Sequence, residues 1–167
     1  KKDTSSQLMY DPVLDYMISN QLIQYYRKVD LSDIIEKVIL QRNVIQPQVM
    51  LIKKASCLTT IDEERFFSVM NHLIQNAQEA TANDGWVSID IERQSERIII
   101  VVSDNGSGMS QSFIKNRLFK PFDTTKGNAG MGIGVFEAKQ FFESMAGGLT
   151  VESIEGQGTK MIISLPR

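Results

Sequence analysis

The chain has one cysteine, one histidine and one tryptophan among its 167 residues, and only four prolines. A lone Cys57 excludes an internal disulfide framework and a cysteine-rich zinc knuckle, and permits a reducing compartment without proving one. A lone His72 excludes a three-histidine metal site and makes any histidine relay depend on one ring. No apolar run approaches the roughly 20 residues needed to cross a bilayer. The opening Lys1-Lys2-Asp3-Thr4-Ser5-Ser6-Gln7 is not followed by a signal-peptide pattern. Charge is not in excess either: 18 basic against 20 acidic residues leave a formal net charge of -2, so nothing global argues for nucleic acid or an anionic membrane. What is present is 42% hydrophobic and 23% charged, the composition of a globular chain. At this length about two-thirds of the unfolded surface can be buried, which suits one compact unit plus a modest appendage. The first residue is not methionine, which leaves room for a longer protein whose other parts include a membrane anchor.

Apolar periodicity divides the chain. Residues 1–28 read as a leader helix or interdomain segment: Asp11-Pro12 supplies a start, and Val13-Leu14, Met17-Ile18, Leu22 and Tyr25-Tyr26 follow at helical spacing. A second helix is predicted from Leu31 to Gln41, capped by Asp30 or Ser32, with Asn43 to Gln48 as a connector. Short strands are predicted at Val49–Lys54 and Cys57–Thr59. Thr60-Ile61-Asp62-Glu63 has capping-box spacing ahead of a helix whose buried stripe is Phe66, Val69-Met70, Leu73, Ala77 and Ala80. Val87, Ile89 and Ile91 alternate with Ser88, Asp90 and Glu92, as a strand with one buried and one wetter face requires. The continuously apolar Ile98 to Val102 predicts a central strand. A helix within Gly130–Met145 and two strands, Leu149–Ile154 and Lys160–Leu165, joined around Gly156-Gln157-Gly158, complete an α+β chain. Its mixed sheet is covered mainly on one face by helices.

Three segments carry chemistry. Asp104-Asn105-Gly106-Ser107-Gly108 follows the central strand, placing a carboxylate where the backbone turns closely; this is either an ordinary Asp-Gly turn or a site whose acceptor suits an exocyclic amine or a water. Gly127-Asn128-Ala129-Gly130-Met131-Gly132-Ile133-Gly134 precedes a helix. It is either a flexible loop with a helix cap, or a cradle of amide donors for phosphate at a helix start. It lacks the Gly-Lys-Ser/Thr ending of a Walker loop and the strand that leads into a dinucleotide fingerprint. His72 and Asn76, four residues apart, share one helix flank with Glu79 close by. An asparagine there could offer its amide oxygen to magnesium.

In order, these pieces resemble the GHKL ATP-binding superfamily, particularly sensor histidine kinases. Asn71-His72-Leu73-Ile74-Gln75-Asn76-Ala77-Gln78-Glu79-Ala80 resembles its asparagine box and Asp104 to Gly108 its first glycine box. Leu118-Phe119-Lys120-Pro121-Phe122-Asp123-Thr124-Thr125-Lys126 resembles its phenylalanine box, and Gly130 to Gly134 its second glycine box. Gly130-Met131-Gly132-Ile133-Gly134 followed by Val135-Phe136-Glu137-Ala138-Lys139 further resembles the PrsK-type kinases associated with exosortase systems. The resemblance implies a two-layer α/β sandwich of the Bergerat type over residues 29–167, with an ATP lid. It implies ATP and Mg2+ as cofactors: Asp104 receives the adenine amine, Gly106 and Gly108 pass close to the base, Asn76 holds magnesium, and Gly130, Gly132 and Gly134 shape the phosphate-facing lid. Lys126 is a candidate phosphate contact, Phe119 or Phe122 a latch, and Arg117 and Lys120 basic residues that could compensate for Glu79, which stands where many kinases carry a basic residue. His72 and Asn76 are the candidate catalytic pair, His72 through a positional hydrogen bond. The implied partners are a dimerisation and phosphotransfer domain of the same kinase, whose histidine accepts the phosphoryl group, and a response regulator; the whole kinase would be homodimeric, its catalytic domain cytoplasmic, with no nucleic acid involved. The alternatives are a nucleotide-binding regulatory module without phosphotransfer and a nucleotide-independent interaction domain.

Overall fold

In a computed structural model, residues 12–19, 26–121 and 134–167 are described. The elements in chain order are α1 (Pro12–Ser19), β1 (Tyr26–Asp30), α2 (Leu31–Arg42), β2 (Val49–Lys53), β3 (Leu58–Asp62), α3 (Glu63–Ala80), β4 (Val87–Gln94) and β5 (Arg97–Asp104). There follow α4 (Gln111–Phe113), continued by a π-helical turn over Ile114–Leu118, then α5 (Val135–Glu143), β6 (Gly148–Ile154) and β7 (Gly158–Pro166).

The alternating strand and the apolar run become neighbours. β4 pairs antiparallel with β5, setting Ile89 against Val102 and Ile91 against Ile100; β5 pairs antiparallel with β7, setting Ile100 against Ile163. The sheet order is β2-β4-β5-β7-β6, with β2 parallel to β4 and the other pairings antiparallel. β5 is thus the central strand of a mixed sheet. Ile89, Ile91, Ile98, Ile100, Ile163 and Leu165 are all 0% exposed, because the apolar sides of α2, α3 and α5 cover the face they share. The result is an α+β architecture with helices on one face, consistent with the Bergerat type. α3 contributes Phe66, Val69, Met70, Leu73, Ile74 and Ala77 to this core, each large side chain stabilising the fold by about 1.5–3 kcal/mol before its ordering entropy is counted.

Some local expectations are corrected. Thr60 does not cap α3: it lies in β3, paired with Lys28 of β1, and Asp62 takes the cap by accepting the Arg65 amide at 3.1 Å. The two-stranded β1-β3 sheet keeps the chain extended through Asp62, which pairs with Tyr26, so the helix begins only after Asp62, the last strand residue, whose side chain accepts from a free amide. For the same reason Tyr26 belongs to a strand, not to the leader helix, which is described over Pro12–Ser19; Leu22 and Tyr25 lie outside the described residues. Val13 is 65% and Tyr16 64% exposed. Ser88, expected on the wetter face of β4, is buried between Met50 of β2 and Ser103 of β5. For α2, Asp30 is the cap. Its carboxylate accepts the Ser32 amide at 3.0 Å and hydroxyl at 2.8 Å, the Cys57 amide at 2.9 Å and the Ser56 hydroxyl at 2.6 Å. Burial pushes the Asp30 pKa up, but these donors together outweigh it and bring it down to about 2.

Candidate nucleotide site

The carboxyl end of the central strand is where the first site residue falls. Asp104 is the last residue of β5, opposite Val87 of β4 and Thr159 of β7, and only 8% exposed. Its Oδ1 accepts the Gly106 amide at 2.9 Å. Burial pushes its pKa up, against the opposing pull of the Gly106 and Thr159 amides. A carboxylate so placed is a scarce acceptor, held by the fold in a position where water serves it poorly.

The loop after it is fastened on three sides. Ser107 donates its amide to the Ala80 carbonyl at the end of α3 at 3.0 Å, and Gly156 in the β6–β7 turn donates to the Ser107 carbonyl at 2.6 Å. Asn105 Oδ1 accepts the Trp86 amide at 2.7 Å, tying the loop to the start of β4. These approaches leave no space for side chains: a Cβ on Gly106 would lie 2.3 Å from the Ala80 carbonyl oxygen. Gly108, at φ +66°, would place a Cβ 2.1 Å from the Ile154 carbonyl oxygen. The tight backbone path therefore follows from α3 and the β6–β7 turn closing on the loop.

Because the loop is bonded to the end of α3, the last residue of the asparagine box, Ala80, lies against the loop that follows Asp104. His72 and Asn76 are half-buried and Glu79 exposed. Glu79 accepts a hydrogen bond from Gln75 Nε2 at 2.8 Å. The opposite flank is anchored by Gln78, 4% exposed, whose Nε2 donates to the Pro47 carbonyl at 2.9 Å and the Arg42 carbonyl at 3.2 Å while its Oε1 accepts from Arg42 Nε at 3.0 Å. Gln78 thus clamps the α2–β2 connector onto the helix that carries Asn76. Neither this clamp nor the Asn105 tie was read from the sequence, since an amide has no periodicity that announces its partner. The same holds for Ser153, which accepts the Met109 amide at 2.8 Å. Gly158 was read only as part of a turn, yet at φ +125° a Cβ there would come within 2.0 Å of the Asp104 carbonyl oxygen.

Gly134 precedes α5, and its amide donates to Glu137 Oε2 at 2.8 Å, so a carboxylate of the chain itself sits on an amide at this helix start. Its φ of -80° is open to any residue. α5 lies beside α3, with the Arg65 guanidinium 5.1 Å from the Phe141 ring centre. Phe119, a candidate latch, is half-buried against the core and lies under the Lys139 ammonium at 4.5 Å. Arg117 stands over the Phe113 ring at 5.7 Å and Lys120 is exposed. Phe122, Lys126, Gly130 and Gly132 lie outside the described residues. A depression of about 190 Å3 lined by Ser56, Cys57, Leu58, Arg93, Ile98 and Arg167 is at the other end of β5 and includes none of the site residues.

These residues suit a purine nucleotide and a hard divalent cation. The buried Asp104 carboxylate, held at the end of the central strand by a loop that only glycine can close, is an acceptor suited to a ligand that carries an amino group. Among the described residues no group of three or more His, Cys, Asp or Glu could hold a metal ion. Magnesium would thus take few protein oxygens, Asn76 Oδ1 first among them, and fill its shell with phosphate and water, as magnesium commonly does.

Comparison with known proteins agrees with this arrangement. Residues 61–167 match the family described as Histidine kinase-, DNA gyrase B-, and HSP90-like ATPase, and the chain belongs to that family. Its relatives include the sensor protein DegM of Bacillus sp. strain B21-2, 34% identical over 63% of this chain and 28% of that one. Sporulation kinase C of Bacillus subtilis is 29% identical over 90% of this chain and 33% of that one. The chain therefore spans a third or less of these relatives. Among solved structures, the nucleotide-free catalytic domain of histidine kinase ThkA superposes with a TM-score of 0.72 at 23% identity, covering 84% of this chain and 95% of that one. The mycobacterial sensor histidine kinase MprB superposes at 0.71 and 19%, covering 84% and 97%. The fold is shared with both.

Proposed function

We propose that this chain is the ATP-binding catalytic domain of a two-component sensor histidine kinase, which directs the γ-phosphoryl group of ATP to a histidine on a separate dimerisation and phosphotransfer domain. The observation that carries the proposal is the buried Asp104 carboxylate in a glycine-only cradle bonded to the end of the helix bearing Asn76. In this reading Asp104 accepts the adenine amine, and Gly106 and Gly108 let the backbone run along the base. Asn76 offers its amide oxygen to magnesium, which supplies charge neutralisation on the phosphates when bound. His72, on the same flank, positions phosphate or water by a hydrogen bond. Gly130, Gly132, Gly134 and Lys126 belong to the phosphate side. The chemistry asked of the protein is positioning and charge stabilisation.

The single histidine of the chain lies within the asparagine box, so the reading requires an acceptor histidine from another domain, and a response regulator to take the phosphoryl group onward. It divides the chain into a leader or interdomain segment over 1–28 and a catalytic domain over 29–167, and it puts that domain in the cytoplasm, where ATP is supplied, within a homodimeric whole that could carry a membrane anchor. Among the described residues, no helix is long and apolar enough to cross a membrane. The PrsK-type subfamily is a finer proposal supported by the run from Gly130 to Lys139 alone.

The test is titration of this chain with ATP, with and without magnesium, followed by phosphorylation of an added dimerisation and phosphotransfer domain. Magnesium-dependent binding and a phosphohistidine product are expected. Binding without any phosphotransfer would favour a regulatory nucleotide module, and no binding by the folded chain would overturn the proposal.

A further inference from the structure

The phenylalanine box and the helix after the second glycine box meet through a contact that neither motif announces. Phe119 follows the π-helical turn Ile114–Leu118, is half-buried against the core, and has the Lys139 ammonium 4.5 Å from its ring centre. Lys139 stands in the second turn of α5, and its ammonium is 3.9 Å from Glu143 on the same helix. α5 is in turn held to α3 by Arg65 over Phe141 at 5.1 Å and by the buried Ala138, Phe141 and Phe142. Phe141 and Phe142 pack edge to face, 5.4 Å apart. A continuous set of contacts therefore runs from the asparagine-box helix through α5 to Phe119.

We propose that Lys139 is a positioning residue for nucleotide binding, acting through Phe119. Resting on the function proposed above, it assigns Lys139 the task of holding the end of the π-helical turn against α5, so that the phenylalanine-box side and the α3 side of the nucleotide site keep a fixed spacing. Three features favour this over a solvated surface lysine. The ammonium lies over an aromatic face on a different element, where a cation is attracted by the ring quadrupole. The Glu143 carboxylate, one turn on along the same helix, lies 3.9 Å from it. The segment it secures contains a π-helical turn, a geometry that recurs at functional sites. Lys139 touches no reacting atom in this scheme; its effect passes through the ring.

The experiment compares magnesium-ATP affinity and thermal unfolding of the unchanged chain with those of Lys139→Met, Lys139→Arg, Phe119→Leu and the Lys139→Met/Phe119→Leu double variant. Methionine keeps the apolar stem and removes the charge; arginine keeps a cation able to stack on the ring. The expected result is an ATP Kd raised about three- to tenfold in Lys139→Met and restored to within about twofold by Lys139→Arg, with the unfolding midpoint shifted by less than about 3 °C. Lys139→Met should add nothing in the Phe119→Leu background, because the ring through which it acts is gone. The inference fails if Lys139→Met binds ATP like the unchanged chain, if Lys139→Arg fails to restore binding, or if the two single effects add. If the unchanged chain binds no ATP while folded, the function proposal itself falls and this inference with it.

Discussion

Exchanging Asp104 for asparagine removes a charge while keeping the side-chain shape, and binding should fall while stability changes little. The binding term is a hydrogen bond from the adenine amine to an ionised acceptor, worth about 1.5–3 kcal/mol; its loss raises the ATP Kd about 10- to 150-fold. The stability term has two parts. Burial raises the Asp104 pKa in the folded chain. A carboxyl raised in this way contributes stability below its unfolded pKa and loses it as pH rises through the folded value, so at pH 7 the ionised group opposes folding. The amide escapes that cost and keeps an oxygen for the Gly106 amide, bonded at 2.9 Å. It loses the second acceptor that serves Thr159, at about 0.5–1.5 kcal/mol. The two parts oppose each other, and the unfolding midpoint should stay within about 4 °C of the unchanged chain. Calorimetric titration with ATP and magnesium, beside a thermal melt, reads both terms. ATP affinity of the unchanged chain should also weaken on acidification at a pH above the ordinary aspartate range, and this dependence should vanish in the variant. A folded variant that binds ATP within twofold of the unchanged chain would refute Asp104 as the adenine acceptor; a midpoint lower by ten degrees or more would show the carboxylate to be chiefly structural.

Four other expectations follow from the same contacts. Asp30→Ala removes the α2 cap and the acceptor of four donors, and should cost about 1–3 kcal/mol in a urea melt. Since the folded Asp30 pKa is lowered to about 2, its contribution is present above the unfolded value near 3.8 and is lost as pH falls from about 4 towards 2; with solvent screening at this part-exposed group it amounts to about 1 kcal/mol, read as the difference between the acid titrations of stability for the unchanged chain and Asp30→Ala. Gln78→Leu leaves the Arg42 and Pro47 carbonyls without their buried donor and should destabilise the chain by about 2–4 kcal/mol, whereas a change within 0.5 kcal/mol would discount the clamp. Gly158→Ala, strained at φ +125° with a Cβ 2.0 Å from the Asp104 carbonyl, should lower the midpoint and weaken ATP binding together by displacing the end of β5. Asn76→Ala should abolish the magnesium dependence of ATP binding with the midpoint within about 4 °C; retained magnesium dependence would remove Asn76 as a ligand.

Legibility varied with the kind of signal. Ile98 to Val102 announced a strand flanked on both edges, in which Ile98, Ile100 and Val102 are buried under the helices while Ile99 and Val101 are half-buried on the other face. Val87, Ile89 and Ile91 announced their face through alternation, and Asp104 was legible at the end of the apolar run, whereas its nearness to the end of the asparagine-box helix came from the Ser107–Ala80 bond. Local signals failed where a distant strand intervened. Thr60 and Asp62 are both good caps, and only the length of the β1-β3 pairing, which puts Thr60 inside the strand and Asp62 at its end, decides between them. Tyr26 fits the helical spacing of its predecessors, and β3 draws it into a strand.

By itself the sequence determined the α+β class, the central strand and the helix carrying His72 and Asn76, because periodicity and residue chemistry are local properties. Tertiary structure decided that Asp104 is buried and its pKa raised, that Gly106 and Gly158 have no room for a Cβ, that Gln78 locks a connector to α3, and that Lys139 meets Phe119. Each of these depends on how far apart two segments distant in sequence come to rest, and that distance is set by the packing of the whole sheet and its helices.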